Sequence, residues 1–260
     1  MKFRLIEGDG PVLVSVPHAG TRLLPGMSTS SPAWQALPDT DWHVDRLVDF
    51  APRMGASLLV AEYSRYVIDL NRPADDQPLY DQVGTGLVPT ETFSGQALYL
   101  PGQVPDQSEQ ARRVAGCWQP YHQAIEDRLS AIRAVHGHAI LFDVHSIASR
   151  VPRLFDGQLP DLNLGTFAGR SCAESLERAC AERLANAEGF SSISNGRFKG
   201  GYITRHYGQP ESGVHALQLE IAQCCYMDED DPRQWDEQRA APLKALLRDL
   251  IALLSAWRPA

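Results

Sequence analysis

Basic residues are in short supply in this chain: 24 Lys and Arg stand against 32 Asp and Glu, for a net charge of -8. Affinity for nucleic acid rests mainly on Lys and Arg contacts to phosphate, so an acidic chain without a basic block argues against a nucleic-acid partner. Long apolar runs are missing as well. The N-terminal stretch MKFRLIEGDGPVLVSVPHAG has no apolar signal core and nothing that spans a bilayer, which points away from a membrane and towards a cytoplasmic location. There are only five cysteines, Cys117, Cys172, Cys180, Cys224 and Cys225. The number is odd and no Cys-x-x-Cys occurs, so neither a disulfide framework nor a structural zinc knuckle is expected, and reduced thiols are. No Gly-x-Ser-x-Gly elbow is present, which weakens a serine-hydrolase scheme on Ser15 or Ser146. Cys224 and Cys225 lack a nearby strong base motif, which weakens a cysteine nucleophile further. Repeats, low-complexity tracts and linkers are absent too, so the expectation is one domain over 1–260.

What is present is ordinary globular material, 43% hydrophobic and 22% charged over 260 residues, enough for a substantial core. Short strands are predicted at Lys2–Leu5, Val12–Val16, Ser57–Ala61, Tyr66–Leu70, Ala139–Val144, Ser191–Ser194 and Val214–Ala222. Helices are predicted from Asp39 or Thr40 to about Met54, from Asp106 to about Val135, from Cys172 to about Ala187 and from Trp235 to Trp257, with Pro242 starting or kinking the last. Residues 21–38, 74–104 and 149–169 read as loops, the second with a short hairpin around Leu98–Leu100. Alternating strands and helices indicate an α/β fold with a mixed, mostly parallel central sheet flanked by helices.

In such sheets ligands bind at the carboxyl ends of the strands. His18 lies just past Val12–Val16. Asn71 and Arg72 leave the predicted Tyr66–Leu70 strand. His145 and Ser146 end the apolar run Ile140–Val144, and Glu220 lies late in Val214–Ala222. Two histidines and a carboxylate can hold a divalent cation with a position left open. His18 and His145 supply the nitrogens, and the acid comes from Asp39, Asp41 or Asp45. Asp143 shares a strand face with His145 and is a candidate to hold its ring. Glu220 stands among Leu217, Leu219 and Ile221, where burial raises a carboxyl pKa and suits it to act as a general base. Arg72 with Asn71 suits carboxylate recognition, and Arg205 and Arg65 are further anion-binding candidates. Other histidines, His43, His122, His136, His138 and His215, have no matching context.

The segments PHAGTRL (17–23), DTDWHVDRL (39–47), SRYVIDLNRP (64–73), FDVHSI (142–147), LPDLNLGT (159–166), NGRFKGGYITRHYGQP (195–210) and VHALQLEIAQ (214–223) together resemble the N-formylglutamate amidohydrolases, or deformylases, of histidine degradation. The likeness runs in order along nearly the whole chain. It implies a zinc-carboxypeptidase-like fold (phosphorylase/hydrolase-like), visible in DLNR and the strand-ending His-Ser. It also implies His18 and His145 as metal ligands, an acid of the 39–45 segment as the third, Glu220 as general base, and Asn71-Arg72 as the holder of a substrate carboxylate. One departure stands out. Zinc carboxypeptidases place a Glu three residues after the first His, and here that position is Thr21. Asp41 is the expected replacement, since it stands where the family's acid stands.

The implied reaction is hydrolysis of N-formyl-L-glutamate to L-glutamate and formate, with one Zn2+ (or another divalent ion) and a small-molecule substrate. Arg72 and Arg205 would meet its carboxylates. The protein would be a monomer or weak homo-oligomer. Competing readings are another small N-acyl-amino-acid amidohydrolase, a carboxypeptidase-like peptidase, or a non-catalytic metabolite-binding module on the same fold.

Overall fold

The computed structural model describes residues 2–27, 31–78 and 85–259. Its centre is a seven-stranded sheet made of β1 (Phe3–Ile6), β2 (Val12–Val16), β3 (Ser57–Ala61), β4 (Ala139–Ile147), β5 (Leu162–Gly165), β6 (Ser192–Ser194) and β7 (Val214–Ala222). Their order across the sheet is β1-β3-β2-β4-β7-β5-β6. β3, β2, β4 and β7 run parallel. β1 pairs antiparallel with β3 and β5 antiparallel with β7, while β6 lies parallel to β5. This is the mixed, mostly parallel sheet expected from the sequence.

Side chains alternate between the faces of a strand, and that period sorts the core into two layers. Val12, Val14, Val16, Ile140, Phe142, Val144, Leu217, Leu219 and Ile221 pack on one face. The helices there are α2 (Val44–Leu47), α5 (Glu174–Ala185) and α7 (Glu237–Ala256). Leu13, Leu59, Leu141 and Ala216 face the other way, onto α4 (Gln119–His136) and α6 (Tyr202–Tyr207). Each of the Val, Leu, Ile and Phe side chains among these contributes roughly 1.5–3 kcal/mol through burial. On this second face the polar residues Ser15, Asp143, His145, Gln218 and Glu220 continue the same alternation towards the carboxyl edge.

Several local expectations are corrected. Tyr66–Leu70 is not a strand but a buried sequence of turns. Its carbonyls are satisfied by side chains instead of a ladder: Arg113 Nη1 donates to the Val67 carbonyl at 3.0 Å and His122 Nε2 to that of Leu70 at 2.9 Å. Arg113 belongs to α3 (Gln107–Arg113). The helix expected from residue 39 or 40 to 54 is broken into α2 and a 3-10 turn over Ala51–Met54. His43, at φ 62°, takes a left-handed conformation that cannot continue a helix. The long 106–135 helix is interrupted by a π-type turn over Val114–Trp118, just before Pro120, which has no N–H to donate into a regular turn. Residues 149–169 contain β5, and Arg205 sits in α6 and not in a loop. Pro242 lies within α7, whose start is capped by Asp236 accepting from the Arg239 N–H. A short four-residue helix, α1 (Ala33–Ala36), lies in the 21–38 segment.

The segments 21–38 and 74–104 include residues 28–30 and 79–84, which lie outside the described residues. Within the second, Thr90–Leu98 forms a hairpin, with Thr92 N donating to Gln96 O and Leu98 N to Thr90 O, both at 2.9 Å.

Candidate metal centre and active site

Three loops and strand ends converge at the carboxyl edge of β2, β4 and β7. His18 follows β2 in a loop that presses close to its neighbour, where a Cβ on Gly20 would meet the Tyr63 carbonyl at 2.4 Å. Asp41 reaches the site because its backbone N–H donates to the His18 carbonyl at 3.1 Å, tying the two loops together. His145 comes from β4, a strand buried along its whole length.

His18, Asp41 and His145 are 2%, 1% and 3% exposed. One ligand atom from each lies within 4.8 Å of the others. Asp41 Oδ2 is 3.0 Å from His145 Nδ1 and 3.8 Å from His18 Nδ1, and it also accepts from the Ser146 N–H at 3.1 Å. The alternative acids point elsewhere. Asp39 accepts from Tyr66 Oη at 2.8 Å and from the Phe93 N–H at 2.7 Å. Asp45 approaches Arg4 at 4.0 Å.

Each histidine is held from behind by a second carboxylate. His18 Nε2 is 2.8 Å from Asp69 Oδ1, and His145 Nε2 is 2.8 Å from Asp143 Oδ2. Burial first, then the Arg65 charge, pushes the His18 pKa down. Burial alone would raise Asp69, but His18, Arg72 and Arg65 hold it well below the usual carboxylate range. The short Nε2–Asp69 contact makes Nε2 the donor of a neutral His18 ring, in which Nδ1 then carries the lone pair. That Nδ1 is buried and has no hydrogen-bond partner among the described residues. An orphaned imidazole nitrogen facing a carboxylate and a second imidazole, each ring backed by an acid, fits a divalent cation. His145 reinforces the point. Burial works to lower its pKa, but Asp143 and Asp41 raise it well above normal, so this pocket attracts positive charge.

Glu220 sits in β7 directly across from His145 in the parallel ladder, and so on the same face. β7 is an interior strand and Glu220 is 7% exposed. Its pKa is pushed up to about 8, chiefly by burial, with Asp41 and Asp143 adding to the rise and His145 and Arg65 opposing it. Gln218 Nε2 donates to Glu220 Oε2 at 3.3 Å.

A cavity of about 70 Å³ opens onto His18, His145 and Glu220. Asn71, Arg72 and Arg65 all line it, but their bonding differs among them. Arg72 is half-buried and donates to the carbonyls of Thr85 (2.8 Å) and Asn71 (3.0 Å), with no carboxylate in hydrogen-bond contact among the described residues. Asn71 Oδ1 accepts from the Ile203 N–H at 2.8 Å, which fastens the start of α6. Arg65 reaches Asp41 Oδ1 at 3.3 Å and Asp69 Oδ2 at 3.0 Å, so its charge holds two acids of the site. Arg205 is not in the cavity wall. α6 turns it back so that Nε donates to the Gly200 carbonyl at 2.8 Å and the guanidinium lies 4.8 Å from the Phe167 ring centroid. The arginine found in the wall instead is Arg197, beside Phe198 and Leu154. Its sequence signal was an Arg following the Asn195-Gly196 turn and preceding Phe198.

The competing nucleophiles are committed elsewhere. Ser146 Oγ accepts from Tyr226 Oη at 2.7 Å and Gln223 Nε2 at 3.3 Å, and Ser15 Oγ donates to Asp143 at 2.8 Å. Burial pushes the thiols of Cys224 and Cys225 up, away from the thiolate form.

A sequence model of the N-formylglutamate amidohydrolases matches residues 10–227. The chain is 52% identical over 252 residues to an N-formylglutamate deformylase of Pseudomonas aeruginosa, covering 96% of this chain and 95% of that one. It is 48% identical over 256 residues to the N-formylglutamate deformylase of Pseudomonas putida, at 96% and 94% coverage. Its fold superposes on a crystal structure of N-formylglutamate amidohydrolase from Ralstonia eutropha JMP134 with a TM-score of 0.81 at 24% identity, over 97% of this chain and 98% of that one. A gene product of Agrobacterium tumefaciens shares the fold at a TM-score of 0.73 and 17% identity, over 98% and 95% of the two chains.

Proposed function

The chain belongs to the N-formylglutamate amidohydrolase family, and from that premise we propose that it hydrolyses N-formyl-L-glutamate at a divalent cation held by His18, Asp41 and His145. The observation that carries the metal is the unpartnered, buried His18 Nδ1 facing Asp41 and His145. Two nitrogens and one carboxylate oxygen with an open position suit zinc. A cation bound there would act as a Lewis acid on the formyl carbonyl and acidify water.

The protein's own groups account for the rest. Asp69 and Asp143 fix the tautomer and direction of the two imidazoles. Glu220 takes one proton from the attacking water as its oxygen bonds to the formyl carbon. The carbon–nitrogen bond then breaks, and Glu220 passes that proton to the departing nitrogen. The acidic proton of the new formic acid completes the ammonium group, so the products are formate and zwitterionic glutamate. Arg72 and Arg197 bring two guanidinium groups to the cavity, matching a substrate with two carboxylates. Arg65 serves a different purpose, holding Asp41 and Asp69 in place. The resemblance in sequence extends this reading to cytoplasmic histidine degradation.

A second cavity, of about 420 Å³, adjoins the first and shares Phe93, Ser146 and Ile147 with it. It gives room for acyl groups larger than formyl and so supports a broader N-acyl-amino-acid hydrolase as the second reading. Rates of glutamate release from formyl-, acetyl- and peptidyl-glutamate separate the two. The deformylase reading expects formylglutamate to be far the fastest, and equal rates for acetylglutamate would overturn it.

A further inference from the structure

Away from the cavity, the chain gathers a second set of ligand-type side chains. Cys224 and Cys225 lie in the turn Gln223–Cys225 that follows β7, and Asp161 immediately precedes β5. The Ala222 N–H donates to the Asp161 carbonyl at 2.9 Å, which brings the two segments together. The two Sγ atoms and one Asp161 carboxylate oxygen all lie within 4.8 Å of one another. All three residues are half-buried, so they are reachable from solvent yet held in place. Asp161 Oδ2 is oriented by the Ser191 N–H at 2.8 Å and Ser191 Oγ at 2.6 Å, while Oδ1 faces the Cys225 thiol at 3.3 Å. Glu229 fixes the turn from the other side, accepting from the Cys224 N–H at 3.1 Å and the Ser149 N–H at 2.6 Å.

We propose that Cys224, Cys225 and Asp161 form a second metal site, distinct from the histidine centre, that takes a thiophilic divalent cation of the Zn2+ or Cd2+ class. Two sulfurs and a carboxylate form a soft, anionic donor set, unlike the nitrogen-rich set at His18 and His145. A disulfide is a poor alternative for this pair. Adjacent residues across a trans peptide stand about 3.8 Å apart at Cα, short of the ~4.4 Å lower limit usual for a disulfide. Nucleophilic chemistry is also disfavoured, because burial and the Asp161 charge, joined by the Glu229 charge at Cys224, keep both thiols protonated. Those same charges favour a cation. Asp161 is already ionised at neutral pH: burial would raise its pKa, but the Ser191 hydrogen bonds lower it. Binding therefore balances as two thiols plus one divalent ion giving a dithiolate complex and two protons released to solvent.

The test titrates Cd2+ into protein already loaded with one equivalent of metal. The histidine centre holds no sulfur, so the ultraviolet thiolate-to-cadmium charge-transfer band reports only on cysteines. The expected result is one further equivalent of Cd2+ per chain, with the band and release of two protons. Cys224→Ser/Cys225→Ser should lose both while keeping the parent's circular dichroism and turnover. Absence of the band in the parent overturns the site, as does a band undiminished in the double variant, which would assign it to Cys117, Cys172 or Cys180. Should the double variant fail to fold, Asp161→Asn provides the second reading. It should keep the band and bind Cd2+ about tenfold more weakly, and unchanged affinity would overturn the three-ligand site.

Discussion

Glu220 and His145 are register partners on adjacent parallel strands, so the proposed base and a proposed metal ligand project side by side from the sheet's carboxyl edge. The two strands are interior and buried, which makes the spacing between them a property of the ladder and not of any loop. Replacing Glu220 by Gln keeps the shape and removes the proton carrier. Turnover should fall by between about a hundredfold and ten-thousandfold, with metal content unchanged by elemental analysis. A rate near that of the parent would remove Glu220 from the reaction.

Asp69 and Asp143 are expected to matter through the metal and not through substrate. Each sits 2.8 Å from the Nε2 of a proposed ligand. Asp69→Asn and Asp143→Asn should each weaken metal affinity roughly 10–100-fold, measured by competition with a chelator. Saturating metal should restore much of the lost activity. Loss of activity with affinity intact would mean that the carboxylates act elsewhere.

The parts of this site that lie on strands were legible in the sequence. Period-two alternation put Asp143 with His145 on one face, and it isolated Glu220 among leucines that turn out to face the other way. Features set by long-range contacts were not. Asp41 is selected by its N–H on the His18 carbonyl and by the left-handed turn at His43, which no local spacing announces, so the choice among Asp39, Asp41 and Asp45 leaned on resemblance. Tyr66–Leu70 has a strand's composition, yet its backbone bonds are supplied by Arg113 and His122 from more than 40 residues away. β5 escaped notice because four residues ending in Gly165 carry little pattern. Arg205 lies outside the cavity wall and Arg197 within it for one reason: a guanidinium's destination depends on which element carries it, and Arg205 sits in α6, which the sequence pattern reads as loop.

Arg72 and Arg197 are expected to divide the substrate's carboxylates between them. Hydrogen bonds to charged groups are worth about 1.5–3 kcal/mol, so Arg72→Ala and Arg197→Ala should each lower kcat/KM for N-formylglutamate by roughly 10- to 100-fold. N-formylglutamine, which lacks the side-chain charge, identifies the pairing. The variant that has lost the side-chain contact should treat the two substrates nearly alike, whereas the other should still prefer formylglutamate. If both variants retain the parent's preference, neither arginine reads that carboxylate.

The last prediction concerns stability, at a histidine outside the site. His122 of α4 is buried, with Nδ1 2.9 Å from Tyr207 Oη and Nε2 2.9 Å from the Leu70 carbonyl. Burial, with a smaller contribution from His206, pushes its pKa down to about 3 from a normal 6.5, against the raising effect of the Leu70 carbonyl. Between those two values the unfolded chain binds a proton that the folded chain refuses. Stability therefore rises with pH across this window, and the contribution is lost as pH falls from about 6.5 towards about 3. Asp41 and Asp69, held below the usual carboxylate range, destabilise on acidification only lower down. Glu220, whose pKa is raised, contributes with the opposite sign between about pH 6.5 and about pH 4, and His145, raised as well, does so above about pH 6.5. Both are the same in parent and variant, so the difference between the two profiles over that span isolates His122. His122→Gln should lose roughly 1–3 kcal/mol at neutral pH through its altered hydrogen bonds. It should also show a shallower fall in urea-unfolding free energy over that span than the parent. Parallel pH profiles for parent and variant would show that His122 titrates normally in the fold.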